Sequence, residues 1–227
     1  MDTDPKENMR IYQLDTTDIP DDTVQLCHAW LNQQERTQAN TYVHPMHARE
    51  YIIAHGFVRT AIADYTNQNP ATVPITKDPC TACRKPHGRP RTLGAHVSWT
   101  HTNNLVLVAV ADHPVGIDAE HITGTITDII TALHPTEQAE IAAYPHQKIQ
   151  RAAQAWVRKE AHLKLLGVGL NRDPSLDYVG TGHKKPSWIH DLYVPSGYAA
   201  ALAVPAEKTF ENGVSVDRRA DSATFLK

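Results

Sequence analysis

The chain of 227 residues predicts an α+β fold of two similar halves, each a long helix packed on a small antiparallel sheet. Three observations point there. Apolar residues recur at helical spacing over His44–Tyr65 and again over Gln147–Leu166. Between these stretches lie three strand-like runs, Ala95–Thr100, Leu105–Ala111 and Val115–His121. Further strand candidates follow the second helix. No sequence repeat is visible, so the likeness of the halves rests on element order alone. The halves divide into residues 1–114 and 115–227, with a polar tail after about residue 206.

Taken in order, Arg10–Leu14 alternates weakly and reads as a strand. Thr17–Asp22 holds turn or helix-start residues, and Leu26–Ala39 carries Leu26, Ala29, Trp30 and Leu31 on one side of a helix. His44–Tyr65 is entered through Pro45, a residue suited to the first turn. Its apolar positions Tyr51, Ala54, Val58, Ala61, Ile62 and Tyr65 form one face, leaving Arg49 and Arg59 on the others. Asn67–Thr92 is rich in Pro, Cys, Gly and basic residues and reads as an irregular connection with a short strand near Val73–Thr76. The three β-like runs then suggest an antiparallel meander turning at Asn103–Asn104 and at Asp112–Pro114. Short helices over Thr127–Leu133 and Pro135–Tyr144 precede the long helix, which Gly167 and Gly169 close. Tyr178–Val179, Ser187–Val194 and Tyr198–Val204 complete the strands.

Composition limits the function. The net charge of -3, with histidine neutral, offers no global field for nucleic acid or an anionic membrane, so any anion site is local. Three cysteines form no disulfide framework and fit a reducing compartment. The polar N-terminus lacks the pattern of a signal peptide, and no apolar run approaches the ~20 residues of a membrane helix. A soluble, cytoplasmic monomer is the expectation.

Two segments carry the chemistry. In Val115–Ile122, V-G-I-D-A-E-H-I, strand alternation puts Asp118 and Glu120 on one face and Ile117, Ala119 and His121 on the other. In Gln154–Leu170, helical spacing sets Glu160 beside Lys164. Carboxylates with an adjacent ammonium suit a hard divalent cation such as Mg²⁺, which keeps waters and is completed by substrate phosphates. The same residue types also decorate ordinary exposed strands and helices. Arg84–Arg91 gathers four permanent cations and His87 around Gly88, a loop suited to phosphate. Ser98-Trp99-Thr100-His101-Thr102 presents hydroxyls and an imidazole where a strand enters a turn. A serine hydrolase built on Ser98, His101 and Asp118 has no nucleophile elbow behind it. Cys80-x-x-Cys83 with His87 has the spacing of half a zinc site, without the other half. His44-x-x-His47 lacks the glutamate of a zinc protease motif.

Together, G-R-P at Gly88–Pro90, S-W-T-H-T at Ser98–Thr102, G-I-D-A-E at Gly116–Glu120, H-P-T-E at His134–Glu137 and W-V-R-K-E-A-H-L-K at Trp156–Lys164 resemble, in order and spacing, the motifs of Sfp-type 4′-phosphopantetheinyl transferases. The resemblance spans about two thirds of the chain. It implies pseudo-twofold related halves with the active site in the cleft between them, and transfer of 4′-phosphopantetheine from coenzyme A to a serine of an acyl- or peptidyl-carrier protein. It implies Mg²⁺ on Asp118, Glu120 and Glu160, Lys164 at the diphosphate with Glu160 as candidate base, and Arg89, Thr100 and His101 on the coenzyme A phosphates. Arg49 and Arg59 are the candidate basic contacts of the N-terminal half, and Glu137 matches an acidic position of the family. Val157 and Ala119 depart from the family pattern without changing a charge. A Mg-dependent nucleotide phosphohydrolase, or a non-catalytic module binding zinc or coenzyme A, are the competing readings.

Overall fold

A computed structural model describes residues 9–80, 84, 88–208 and 216–217, with backbone only at 125–127 and 216–217. Strand β1 (Met9–Asp15) opens the chain. The helical stretch expected over Leu26–Ala39 is two helices, α1 (Asp21–Trp30) and α2 (Gln33–Ala39). Asn32 causes the break. Its side chain accepts from the Glu35 backbone N–H while the Glu35 carboxylate accepts from the Asn32 N–H, a reciprocal cap that starts a new helix. Helix α3 (Pro45–Thr66) starts at the anticipated proline and ends at Asn67 in the left-handed region.

The irregular connection holds a two-residue pair, β2 (Thr76–Lys77) with β3 (Pro90–Arg91). Strands β4 (His96–Thr102) and β5 (Leu105–Ala111) form the expected hairpin, with Asn103 at φ +44° in the turn. The meander stops there. Strand β6 (Gly116–His121) does not pair with β5, because Asp112–Pro114 carries the chain across to a second sheet. Gly124–Ala132 is a 3₁₀ segment, followed by α4 (Pro135–Ala142), α5 (Lys148–Leu166), β7 (Ile189–Asp191), β8 (Tyr198–Ala203) and β9 (Val216–Asp217). Tyr178–Val179 forms no strand.

The first sheet runs β4-β5-β1-β9, with β9 parallel to β1 and the other pairs antiparallel; the second runs β6-β8-β7, all antiparallel. Burial explains the layering. Tyr12, Leu14, Val97, Val106, Val108 and Val110 face α3 with Phe57, Val58, Ala61 and Ile62. The alternate residues Ile11, Leu105, Leu107 and Ala109 face Ile117, Ala119, Leu202 and Val204 of the second sheet. The far side of that sheet, Ala201 and Ala203, meets Val157 and Ala161 of α5. The order is helix, sheet, sheet, helix. It accounts for the unbroken apolar run of β5, buried on both faces. Among the described residues, no helix is long and apolar enough to cross a membrane.

Gly116 sets how closely β6 approaches α5. A Cβ there would lie 2.5 Å from the Leu165 nitrogen and closer still to the Ala161 carbonyl oxygen. Gly116→Val is expected to destabilise the fold by about 1–3 kcal/mol through overpacking, read as a lower urea midpoint. Gly124→Ala, where the added carbon meets nothing within 4 Å among the described residues beyond its chain neighbours, should stay within about 0.5 kcal/mol of the parent.

Candidate active site

The edge strands β4 and β6 lie against each other through side chains. From Ser98 onward, every second residue of β4 carries a hydroxyl turned toward β6. Ser98 Oγ accepts from the Ile117 N–H at 3.1 Å, Thr100 Oγ1 donates to Asp118 Oδ1 at 3.0 Å, and Thr102 Oγ1 donates to Glu120 Oε2 at 3.3 Å. The period of two in both strands keeps this ladder in register. Asp118 and Glu120 therefore share a face, opposite the buried Ile117 and Ala119, as the alternation required.

Helix α5 brings the third carboxylate and the ammonium. Lys164 Nζ donates to Asp118 Oδ1 at 2.7 Å, to the Ile117 carbonyl at 3.0 Å and to the Trp99 carbonyl at 3.3 Å. Its three donors are thus spread over β4 and β6. Asp118 is buried, and its Oδ2 accepts no hydrogen bond. Burial, and then the charge of Asp118, push the carboxyls of both Glu120 and Glu160 above their ordinary range, with Lys164 pulling the other way. Three acids are electrostatically coupled around one lysine. Among the described residues, no group of three or more His, Cys, Asp or Glu side chains stands close enough to cage a metal ion as it is. The donor chemistry nevertheless suits one: hard oxygens, an orphaned buried carboxylate oxygen, and two acids that gain from a nearby cation.

A cleft of about 460 Å³ opens beside this cluster, lined by Lys77, Arg89, Ser98, Trp99, Lys164 and the 167–171 turn. Among the described residues, every charged side chain on its wall is a cation: Lys77, Arg89 and Lys164. The Arg89 guanidinium donates to the Leu165 carbonyl at the end of α5, where Gly167 (φ +73°) leaves it room; a Cβ on Gly167 would sit 2.8 Å from Arg89 Nε. Arg89 Nε itself is buried without a partner. Desolvation lowers the Arg89 guanidinium from its ordinary value, with Arg91 adding to it. His101 lies on the face of β4 opposite Ser98, so Ser98, His101 and Asp118 form no proton relay. The His101 residue is exposed, yet desolvation, followed by the nearby His55 and Lys164, lowers its imidazole.

The other sequence candidates lie elsewhere. Arg49 is bound to Asp21 at 2.6 Å and to the Ile19 carbonyl. Arg59 is 3% exposed and donates to Glu35 at 2.6 Å. Neither offers a free guanidinium to the cleft, and Arg59 is committed to holding α2 on α3. The same Glu35 accepts from His55 Nδ1 at 3.0 Å. Glu137 is fully buried: it caps α4 through the His134 N–H, pairs with the buried Lys159 at 3.0 Å, and accepts from Val179 and Gly180 N–H groups. It ties α4, α5 and the 177–180 turn together. Cys80 is buried and accepts from Asn171 Nδ2; Cys83 and His87, which with it suggested zinc, lie outside the described residues, as do Lys85 and Pro86 of the basic loop. Arg84 is exposed, and Arg91 pairs with Asp78 at 2.9 Å.

Sequence reasoning did not single out Lys77, or Ser98 and Thr102 as partners of β6. The S-x-T-x-T alternation facing I-D-x-E was the available signal. Lys77 carried none, since its place on the wall follows from the β2–β3 pairing.

Residues 114–202 match the family model described as the 4′-phosphopantetheinyl transferase superfamily. The chain is also similar to a 4′-phosphopantetheinyl transferase of Bacillus subtilis, 27% identical over 145 residues, a match covering 63% of each chain. The chain thus spans less than two thirds of that relative's length. Three of the five motifs, at Gly116–Glu120, His134–Glu137 and Trp156–Lys164, fall inside the 114–202 segment, as do β6, α4, α5 and β7.

Burial raises the Glu35 carboxyl, but the His55 hydrogen bond, the Arg59 charge and the Asn32 N–H outweigh it and hold the group down to about 2, from an ordinary 4.5. The folded state then binds fewer protons than the unfolded one, so stability is lost as pH falls from about 4.5 toward about 2. In Glu35→Gln this acid limb should flatten in pH-dependent urea unfolding. Breaking the Glu137–Lys159 pair with Glu137→Gln should cost about 3–5 kcal/mol, and Glu137→Gln with Lys159→Met should cost less than either change alone.

Proposed function

We propose that the chain transfers the 4′-phosphopantetheine group of coenzyme A to a serine hydroxyl of an acyl- or peptidyl-carrier protein, with Mg²⁺ as cofactor and adenosine 3′,5′-bisphosphate as the other product. The observation that carries this reading is the acidic set Asp118, Glu120 and Glu160 around Lys164, at the edge of a cleft whose charged lining, among the described residues, is Lys77, Arg89 and Lys164. The carboxylates and α5 belong to the segment that matches the superfamily. In this reading the N-terminal half, 1–114, supplies donor-phosphate contacts, and the C-terminal half, 115–227, supplies the carboxylates. The helix-sheet-sheet-helix layering supports a pseudo-twofold relation between them.

The chemistry follows from charge. The diphosphate of coenzyme A is an anion attacked by an oxygen nucleophile, and negative charge grows on the departing bisphosphate. Lys164 and Arg89 would hold the diphosphate and its leaving oxygen, with Thr100 and His101 at the donor phosphates. Glu160, whose carboxyl is raised by burial and by Asp118, would accept the proton of the carrier serine as its oxygen bonds to the β-phosphorus and the bond to the bisphosphate breaks. Asp118, Glu120 and Glu160 would hold Mg²⁺, which supplies charge neutralisation to the diphosphate. Ser98, Thr100 and Thr102 keep β6 and its acids in position from the other sheet.

Apo carrier protein mixed with this chain, coenzyme A and Mg²⁺ should gain the mass of phosphopantetheine. Asp118→Ala and Glu160→Ala should abolish that gain while remaining folded by circular dichroism; full activity in both would overturn the site. Arg89→Ala should weaken coenzyme A binding by about 1.5–3 kcal/mol, the scale of a lost charge-assisted hydrogen bond, measured by calorimetry. Rapid release of the bisphosphate without carrier would favour the phosphohydrolase instead.

A further inference from the structure

Lys164 stands in two places at once. Its ammonium lines the cationic cleft, yet it is bonded at 2.7 Å to Asp118 Oδ1, so its charge already offsets the carboxylate that a divalent cation would bind. Oδ1 also accepts from Thr100, while Oδ2 is buried and accepts from nothing. The lysine is not sealed in: its side chain is 29% exposed against 7% for Asp118. It can swing toward the cleft while the carboxylate stays. Its remaining bonds are to two uncharged carbonyls, Ile117 and Trp99, and the other charges acting on it include those of Glu120 and Glu160.

Resting on the reading of the site given above, we propose that Lys164 is a removable counter-ion for Asp118. The protein then takes up a divalent cation weakly on its own and tightly once a polyphosphate in the cleft has drawn the ammonium away from the carboxylate. Two cations compete for one carboxylate, and two anions compete for one ammonium. A polyphosphate that engages Lys164 frees Asp118 and removes a repelling charge from beside the metal. The coupling is reciprocal, so a metal on Asp118 pushes Lys164 toward the phosphate. This differs from a metal merely bridged by substrate, because it requires the bare protein to be self-neutralised by its own lysine.

The probe is Mn²⁺, titrated by electron paramagnetic resonance against the full chain without coenzyme A. Lys164→Met keeps the apolar stem and deletes the charge, and should bind Mn²⁺ roughly tenfold tighter or more than the parent. Equal or weaker binding overturns the counter-ion role. Asp118→Asn separates this failure from failure of the underlying reading. If Asp118→Asn leaves Mn²⁺ binding unchanged, the metal is not at this carboxylate and the site assignment falls. If it abolishes binding while Lys164→Met fails to tighten it, only the counter-ion role falls. A measurement on the unaltered chain guards against a Lys164→Met protein that does not fold. Saturating Mn²⁺ alone should raise the rate of reductive methylation at Lys164, followed by peptide mass spectrometry, and an unchanged rate counts against the proposal.

Discussion

One ammonium holds the centre of this molecule. Lys164 reaches from α5 to a carbonyl of β4, a carbonyl of β6 and the carboxylate of Asp118, so a single charged group joins a helix to the edge strands of two different sheets. All three of its donors are used, and the contacts are partly buried. Two of its partners are main-chain carbonyls, set by the backbones of the two strands. The hydroxyl ladder of Ser98, Thr100 and Thr102 sets the distance between the strands. Gly116 sets the distance from β6 to α5. The acidic cluster is the product of these two spacings.

Those spacings separate what was legible in the sequence from what was not. Local periodicity located β1, α3, β4, β5, β6, α5 and β8 to within a few residues, because each has a strong apolar face or a clear terminator. The partner of a strand is a tertiary choice. Asp112–Pro114 looks like a hairpin turn, and only the match between the Ile117–Ala119 face and the inner face of the first sheet sends β6 to pair with β8 instead. The break between α1 and α2 was readable in principle, since Asn32 and Glu35 have capping spacing, but the apolar residues across it hid the signal.

The site divides in the same way. Strand alternation put Asp118 and Glu120 on one face, and helical spacing put Glu160 beside Lys164; the structure keeps both relations and adds the contact between the two segments. Arg49 and Arg59 show the opposite outcome. A basic residue on a helix reads identically whether it faces a ligand or a buried acid, and Glu35, in a different helix, takes Arg59. Glu137 read as an acidic position of uncertain purpose. Its burial against Lys159 and two backbone amides gives it an architectural one, joining the helix that carries Glu160 to its neighbours.

The doubly covered strand β5 has a consequence for how the chain comes apart. Leu105, Leu107 and Ala109 are roofed by residues that arrive only after position 115, so a fragment ending near the midpoint would present a bare greasy sheet to solvent. The remaining fragment would carry the matching bare surface. Such pieces would stick to one another or precipitate rather than survive as independent modules, so the two halves of this polypeptide depend on each other for their cover.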